Sequence, residues 1–310
     1  MSMEEVNELT TRIVDNIENV IVGRRSQVEH VLTTLLARGH LLIEDVPGVG
    51  KTMLARSLAR SIDCTFKRIQ FTPDLRPSDV TGANVFNQKT REFEFRSGPV
   101  FANIVLGDEI NRAPPKAQSA LLEAMEEKQV TVDGKTYHVP RPFMVIATQN
   151  TIEHIGTYDL PAAQIDRFMK NLTMGYPSRD EESVVLDRVR GEHPIEKLEP
   201  VTTLDEVRNA RGFTSQIHIE ESIRDYITDI AQYTREHAKL GISPRGSVAL
   251  LQASQARAVL NGRDYVLPDD VKAEALPVLS HRVMPESKST IRKEAGEKLI
   301  EEALENVPVE

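Results

Sequence analysis

The chain is poor in several residue types that would otherwise point to a class of protein. Among 310 residues there is one cysteine and no tryptophan, and aromatics make up only 5%. A single cysteine excludes an intramolecular disulfide, so Cys64 is expected to be a small buried hydrophobe. No stretch approaches the roughly 20 apolar residues that span a bilayer. The opening segment, Met1 to Asp15, is acidic and amphipathic where a signal peptide needs a basic start and an apolar run. Together these absences predict a cytoplasmic location and no direct membrane insertion. The 8 histidines show no HExxH or paired-ligand spacing, so an intrinsic transition-metal site is not expected. Cations are in deficit, 38 Lys plus Arg against 47 Asp plus Glu, for a net charge of −9. That balance argues against wholesale nucleic-acid binding, although a local basic groove can sit inside an acidic total.

What is present is ordinary for a globular chain: 40% hydrophobic and 27% charged residues, which exclude disordered and fibrous classes. At roughly 150 residues per domain the length suggests two domains. Periodicity agrees, with a composition shift near Pro194 to Pro200, and we assign residues 1–197 to an α/β domain and 198–310 to a helical one. In the first part, short apolar or β-rich runs at Leu41 to Ile43, Phe66 to Phe71, Ile104 to Leu106, Phe143 to Ala147 and Leu172 to Met174 alternate with helical stretches. This is the pattern of a five-stranded parallel sheet between helices. Two segments break the rhythm as short hairpins: Asn84 to Gln88 with Glu92 to Arg96, and Gln129 to Val139 around Asp133-Gly134. From about Asp205 onward the apolar spacing is helical, as in Ile223, Ile227, Ile230, Ala231 and Tyr233, then Val248, Leu251, Ala256, Val259 and Leu260. Pro268-Asp269-Asp270 opens a further helix.

The chemistry concentrates in a few motifs. After the apolar run ending at Glu44 comes Asp45-Val46-Pro47-Gly48-Val49-Gly50-Lys51-Thr52, then a helical stretch from Met53. Small residues let consecutive backbone N–H groups close around phosphate oxygens, and the helix N-terminus adds positive potential. Pro47, Gly48, Val49, Gly50, Lys51, Thr52 and Met53 therefore form a candidate nucleotide loop. Lys51 would reach the β and γ phosphates and Thr52 would ligand Mg²⁺. Asp45 replaces the first glycine of the usual GxxxxGK[ST] pattern. The second motif, Ile104 to Glu109, is an apolar strand ending in two acids, a costly arrangement unless the carboxylates have work to do. Beside a phosphate loop, Asp108 would hold the Mg²⁺ shell and Glu109 would polarise the attacking water. A third strand, Phe143 to Ala147, ends in Thr148-Gln149-Asn150; Asn150 could sit between the γ-phosphate and that water, or simply end the strand in a turn.

With these motifs, the segments Ile21-Val22-Gly23-Arg24, GDEINRAPPKAQSALLEAMEE, ATQN, QIDRF and GISPRG closely resemble the MoxR branch of the AAA+ ATPases, over most of the chain from about Ile21 to His281. The resemblance implies a P-loop core with two hairpin inserts and a small all-α lid. It places Gly23 near the adenine, Lys51 and Thr52 in Walker A, and Asp108 and Glu109 in Walker B. It makes Asn150 the first sensor, Arg167 an arginine finger reaching into a neighbouring subunit's site, and Arg245 the second sensor on the lid. Arg112 is a further candidate for an inter-subunit contact, and no role follows for His281-Arg282. The chain departs from the family at Asp45, at Gly107, which is expected to loosen the strand beside the metal, and at Thr151, where the family often has proline.

The resemblance implies an ATPase using ATP and Mg²⁺ as a ring, a hexamer of identical chains. It would act as a chaperone that remodels or matures client proteins, often with a partner carrying a von Willebrand factor A domain. An alternative is a nucleic-acid motor of the related helicase and chelatase clade. Its hairpins would need more charge than Lys135 and His138 against Asp133, or Lys89, Arg91 and Arg96 against Glu92 and Glu94. A regulatory subunit with a dead site would conflict with the intact Lys51 and Glu109.

Overall fold

A computed structural model describes residues 1–150, 156–188, 193–285 and 292–309; Thr151 lies outside them. Helices α1 (Met3–Glu18) and α2 (Arg25–Leu36) lead into strand β1 (Leu41–Glu44) and helix α3 (Lys51–Ser61). Strand β2 (Phe66–Gln70), helix α4 (Pro77–Thr81) and the hairpin β3 (Gly82–Asn87) with β4 (Glu92–Ser97) follow. Next come β5 (Ile104–Asp108), α5 (Pro115–Glu127), the hairpin β6 (Gln129–Val132) with β7 (Lys135–His138), β8 (Met144–Gln149), α6 (Ala162–Ile165) and β9 (Lys170–Leu172). The remainder is helical, α7 (Arg179–Arg188), α8 (Pro194–Lys197), α9 (Leu204–Thr214), α10 (Glu221–His237), α11 (Pro244–Leu260), α12 (Pro268–Leu279) and α13 (Arg292–Asn306), except that Ala238–Leu240 and Met284–Pro285 form a short antiparallel pair, so the expected all-α lid carries a small two-stranded sheet.

The five core strands form one sheet in the order β2-β5-β8-β1-β9, all parallel. A strand covered on both faces needs apolar residues at every position, which is why β1, β5 and β8 read as continuous apolar runs. Alternate side chains enter different cores. Leu41, Ile43, Ile104, Leu106, Met144 and Ile146 join the cluster formed with α1, α2 and α3. Leu42, Val105, Val145 and Ala147 join the cluster under α5 with Phe71 and Leu121. The first cluster runs on without a break into α10, α11, α12 and α13, because α1 and α2 pack against α11.

Three local expectations differ from what is observed. The last strand is Lys170–Leu172 rather than Leu172 to Met174, because Lys170 and Asn171 are buried strand residues despite their polarity. Val248 is 53% exposed; the inward face of α11 runs through Ala249, Leu250, Ala253 and Ala256 instead. Gly107 does not loosen β5, which holds its register through that position against Ile69 and Ala147. A Cβ there would stand 3.1 Å from a methyl of Leu121, so the glycine lets α5 pack close to the sheet. Cys64 is half-buried against the first core, and burial pushes its thiol up to about 12, leaving it unreactive.

Candidate nucleotide site

The loop between β1 and α3 is shaped by two left-handed glycines, Gly48 at φ 86° and Gly50 at φ 89°. Those angles favour glycine, and a Cβ added at either would meet nothing within 4 Å, so the loop opens onto free space. Gly50 is the N-cap of α3 and offers no side-chain cap, which leaves the first N–H groups of the helix for a ligand. Lys51 Nζ donates to the Asp45 carbonyl at 2.8 Å. Burial lowers the Lys51 pKa, opposed by the charges of Asp45, Asp108 and Glu109.

Asp45 is 5% exposed, and its carboxylate accepts from three backbone N–H groups: Val46 at 2.7 Å, Met174 at 2.6 Å and Gly175 at 2.7 Å. The residue that departs from the phosphate-loop pattern therefore ties the start of that loop to the segment after β9. On the other side of this segment, Arg24 donates to the Gly23 and Tyr176 carbonyls at 3.1 and 2.5 Å and pairs with Glu181 at 3.2 Å. Gly23, at φ 68°, lies so close to Glu181 that a Cβ would reach within 1.9 Å of its Oε1. Beside the loop is a cavity of about 260 Å³ whose walls include Ile21, Val22, Val49, Met53, Pro177 and Val185, an apolar slot fit for a flat ring.

The carboxylates come from the neighbouring strands. Asp108, 9% exposed, accepts from Thr148 Oγ1 at 2.7 Å on one oxygen and from Arg68 Nε and Nη2 at 3.0 and 2.5 Å on the other. Glu109 has a left-handed backbone, φ 56°, of the kind that collects at functional sites in non-glycine residues. Its N–H donates to Thr148 Oγ1 at 2.9 Å, and its carboxylate takes Gln70 Nε2 at 2.8 Å and Arg112 Nε at 3.2 Å. Asn150, 6% exposed, follows β8 between these groups and β1. No group of three or more His, Cys, Asp or Glu able to hold a metal occurs among the described residues. Thr52 and Asp108 fit the sparse protein ligation of Mg²⁺, whose other positions are filled by water and phosphate oxygens.

Arg167 and Arg245 lie at the opposite end of the strands, before β9 rather than after β1. Arg167 pairs with Glu126 at 3.0 Å and Arg245 with the other oxygen of Glu126 at 2.6 Å. Arg282 is buried and donates to the Asp166 carboxylate at 2.8 Å and to the Phe168 and Met169 carbonyls at 2.8 and 3.0 Å. His281 Nε2 stands 3.1 Å from the Phe168 carbonyl.

Residues 40–170 match the family described as ATPase family associated with various cellular activities (AAA), and residues 230–303 match the AAA lid domain. A Bacillus subtilis protein, YeaC, is 51% identical over 99% of this chain and 96% of its own. Chaperone MoxR1 of Mycobacterium tuberculosis is 42% identical over 88% of this chain and 75% of its own, and Protein MoxR of Paracoccus denitrificans is 30% identical over 94% of each. The chain belongs to the MoxR family of AAA+ ATPases. A crystal structure of a Cytophaga hutchinsonii protein put forward as an ATPase superposes with a TM-score of 0.91 at 36% identity, over 99% of this chain and 97% of that one.

In this MoxR-family chain the phosphate loop, Asp108, Glu109 and Asn150 share one end of the sheet, while Arg167 and Arg245 share the other. Arg112 turns back onto Glu109. Three residues missed in the sequence belong to the site: Thr148 links both acids, and Arg68 and Gln70 reach them from β2. At the other end, Arg282 fixes the segment carrying Arg167. Arg68 and Gln70 alternate with Ile69 in a strand otherwise expected to be apolar, which was the available signal. Among the described residues no helix is long and apolar enough to cross a membrane.

Proposed function

We propose that the chain hydrolyses ATP with Mg²⁺ at the end of β1, β5 and β8, and that its active form is a hexameric ring in which a neighbour's Arg167 completes the site. The observation that carries this reading is the separation within one chain. Lys51 and Glu109 stand at one end of the sheet, while Arg167 and Arg245 stand at the other, paired with Glu126, a separation that supports their serving another subunit's phosphate rather than their own. The β and γ phosphates would lie along the N–H groups of the loop with Lys51. The bound Mg²⁺, held by Thr52 and the water shell of Asp108, would offset charge on the phosphate oxygens. Glu109 takes a proton from the water whose oxygen bonds the γ-phosphorus as the bond to the bridging oxygen of ADP breaks. To do so its carboxylate must leave Gln70 and Arg112. Asn150 would orient that water.

The work done would be remodelling of client proteins, as the name of MoxR1 suggests for that relative, with a von Willebrand factor A domain protein as the proposed partner. Protein clients are supported by the β3–β4 hairpin, where Phe86 and Phe93 are 50% and 72% exposed and pack edge to face at 5.4 Å. An exposed aromatic pair suits apolar side chains rather than a phosphate backbone.

Steady-state turnover and nucleotide-binding measurements on three variants test the reading. Lys51→Ala is expected to lose ATP binding. Glu109→Gln should bind ATP but turn over about 100-fold or more slowly, and Arg167→Ala should assemble yet hydrolyse at least about 1,000-fold more slowly. Near-normal turnover by Glu109→Gln would sink the assigned base.

A further inference from the structure

A second cavity, of about 550 Å³, opens beside the base of the β6–β7 hairpin, and Arg38, Lys128, Arg141, Arg208, Arg211 and the ring of Phe143 line it. Arg38 precedes β1 and Arg141 precedes β8, so this cavity is at the opposite end of the sheet from the phosphate loop. None of its lining residues is acidic, in a chain whose net charge is −9. Arg208 pairs with Asp205 at 2.6 Å and donates twice to the Arg141 carbonyl at 2.9 and 2.6 Å, which stitches α9 to the segment before β8. The other four cations make no ion pair among the described residues, and Arg211 Nε is buried without a hydrogen-bond partner.

Like charges gathered without counter-charge destabilise a resting protein, and the buried, unpartnered Nε of the half-buried Arg211 adds to that cost. Burial, then the nearby Arg38, brings Arg211 down to about 10. Burial and the charges of Arg211, Arg38 and Arg141 lower Lys128. Two of the cations also sit on left-handed backbone, Arg38 at φ 61° and Lys128 at φ 54°, a conformation that non-glycine residues hold only against strain. Placement at the carboxyl ends of α2 and α5 gives a helix-dipole reason for Arg38 and Lys128. The same reason holds for Arg211 in the last turn of α9, and it gives none for Arg141.

We propose that this cavity is an anion site for a small polyphosphorylated molecule, whose phosphates take the forked guanidinium donors of Arg141 and Arg211 and the point charge of Lys128. The ligand bridges the sheet end, through Arg38, Lys128 and Arg141, to α9, through Arg208 and Arg211. Its size matches a short phosphate chain rather than a tracked nucleic-acid strand, which needs a continuous groove.

Calorimetric titration of inorganic tripolyphosphate into the Lys51→Ala chain tests the site with the phosphate loop disabled. One-to-one binding is expected, weakened by salt, and at least about 10-fold weaker when Arg141→Gln or Arg211→Met is added. In the absence of ligand, Arg211→Met should raise the melting temperature, because it removes a charge that has no counter-charge and a buried Nε that has no partner, and should abolish the further rise that tripolyphosphate produces. Absence of tripolyphosphate binding overturns the proposal, as does binding unchanged in both arginine variants. Binding of an oligothymidylate or a polyglutamate in place of tripolyphosphate also overturns it, in favour of a strand or an acidic protein segment.

Discussion

Asp45 shows how a departure from a motif can carry more structure than the consensus residue would. A glycine at the first loop position supplies conformational freedom. The aspartate supplies an acceptor for Val46, Met174 and Gly175 N–H groups in a nearly dry setting. Restoring the consensus glycine by Asp45→Gly leaves those buried donors without partners, each worth about 1–3 kcal/mol. We therefore expect Asp45→Gly to destabilise the protein by about 2 kcal/mol or more in urea unfolding, with Asp45→Asn milder because it keeps one acceptor oxygen. A stability equal to wild type would show that the segment after β9 is held by other contacts.

Elements are locked to one another by similarly economical devices, and His40 is the clearest. It stands just before β1, its Nδ1 accepts from the Val145 N–H of β8 at 2.9 Å, and its Nε2 lies 3.2 Å from the Met125 carbonyl near the end of α5. Those two partners demand the neutral ring with the proton on Nε2. Burial lowers its pKa from 6.5 to about 4; the Met125 carbonyl opposes the shift, and Lys128 and Arg211 add to it. The unfolded chain takes up a proton below pH 6.5 that the folded chain refuses until about pH 4, so stability falls as pH drops through that window, by about 3 kcal/mol in all. His40→Gln should be less stable at pH 8, yet its stability should depend on pH between 6.5 and 4 more weakly, by about one proton. An unchanged slope in urea titrations across that range would rule the assignment out.

Across the whole molecule, sheet and helical part are joined by buried charge. Lys170 of β9 and Glu274 of α12 are both fully buried, with Nζ 2.5 Å from Oε2, an ion-pair contact rather than an aligned hydrogen bond. Arg257 of α11 donates to the other Glu274 oxygen at 2.8 Å and pairs with Glu29 of α2 at 3.1 Å. Burial alone would raise the Glu274 carboxyl, but Lys170, His30 and Arg257 hold it well below the ordinary range; burial brings Lys170 down to about 8. Removing one member strands the others, so Glu274→Ala should cost about 3–5 kcal/mol, whereas the paired replacement Lys170→Met with Glu274→Leu should recover most of it. Denaturant midpoints of the three proteins decide this. A loss under about 1 kcal/mol for Glu274→Ala would mean the network does not join the two parts.

The sequence alone determined the sheet, the two hairpins, the helical second part and the loop, Asp108 and Glu109 of the site, because each is written in neighbouring residues: a period, a turn dipeptide, or a strand running into its functional end. Tertiary structure alone decided which distant side chains meet. Lys170 reads as a strand-breaking charge until Glu274 is folded against it. Arg68 and Gln70 read as strand polarity until β5 lies alongside, and Arg282 reads as a surface cation until the segment before β9 wraps its guanidinium. The separation of Arg167 from Lys51 was expected only through the family resemblance, and that Arg245 stands beside it on Glu126 was not legible at all, since residues close in motif order can stand at opposite ends of a strand. Pairing between groups far apart in the chain leaves no period to read. Its energy comes from desolvated contacts that exist only once the sheet and helices have closed around them.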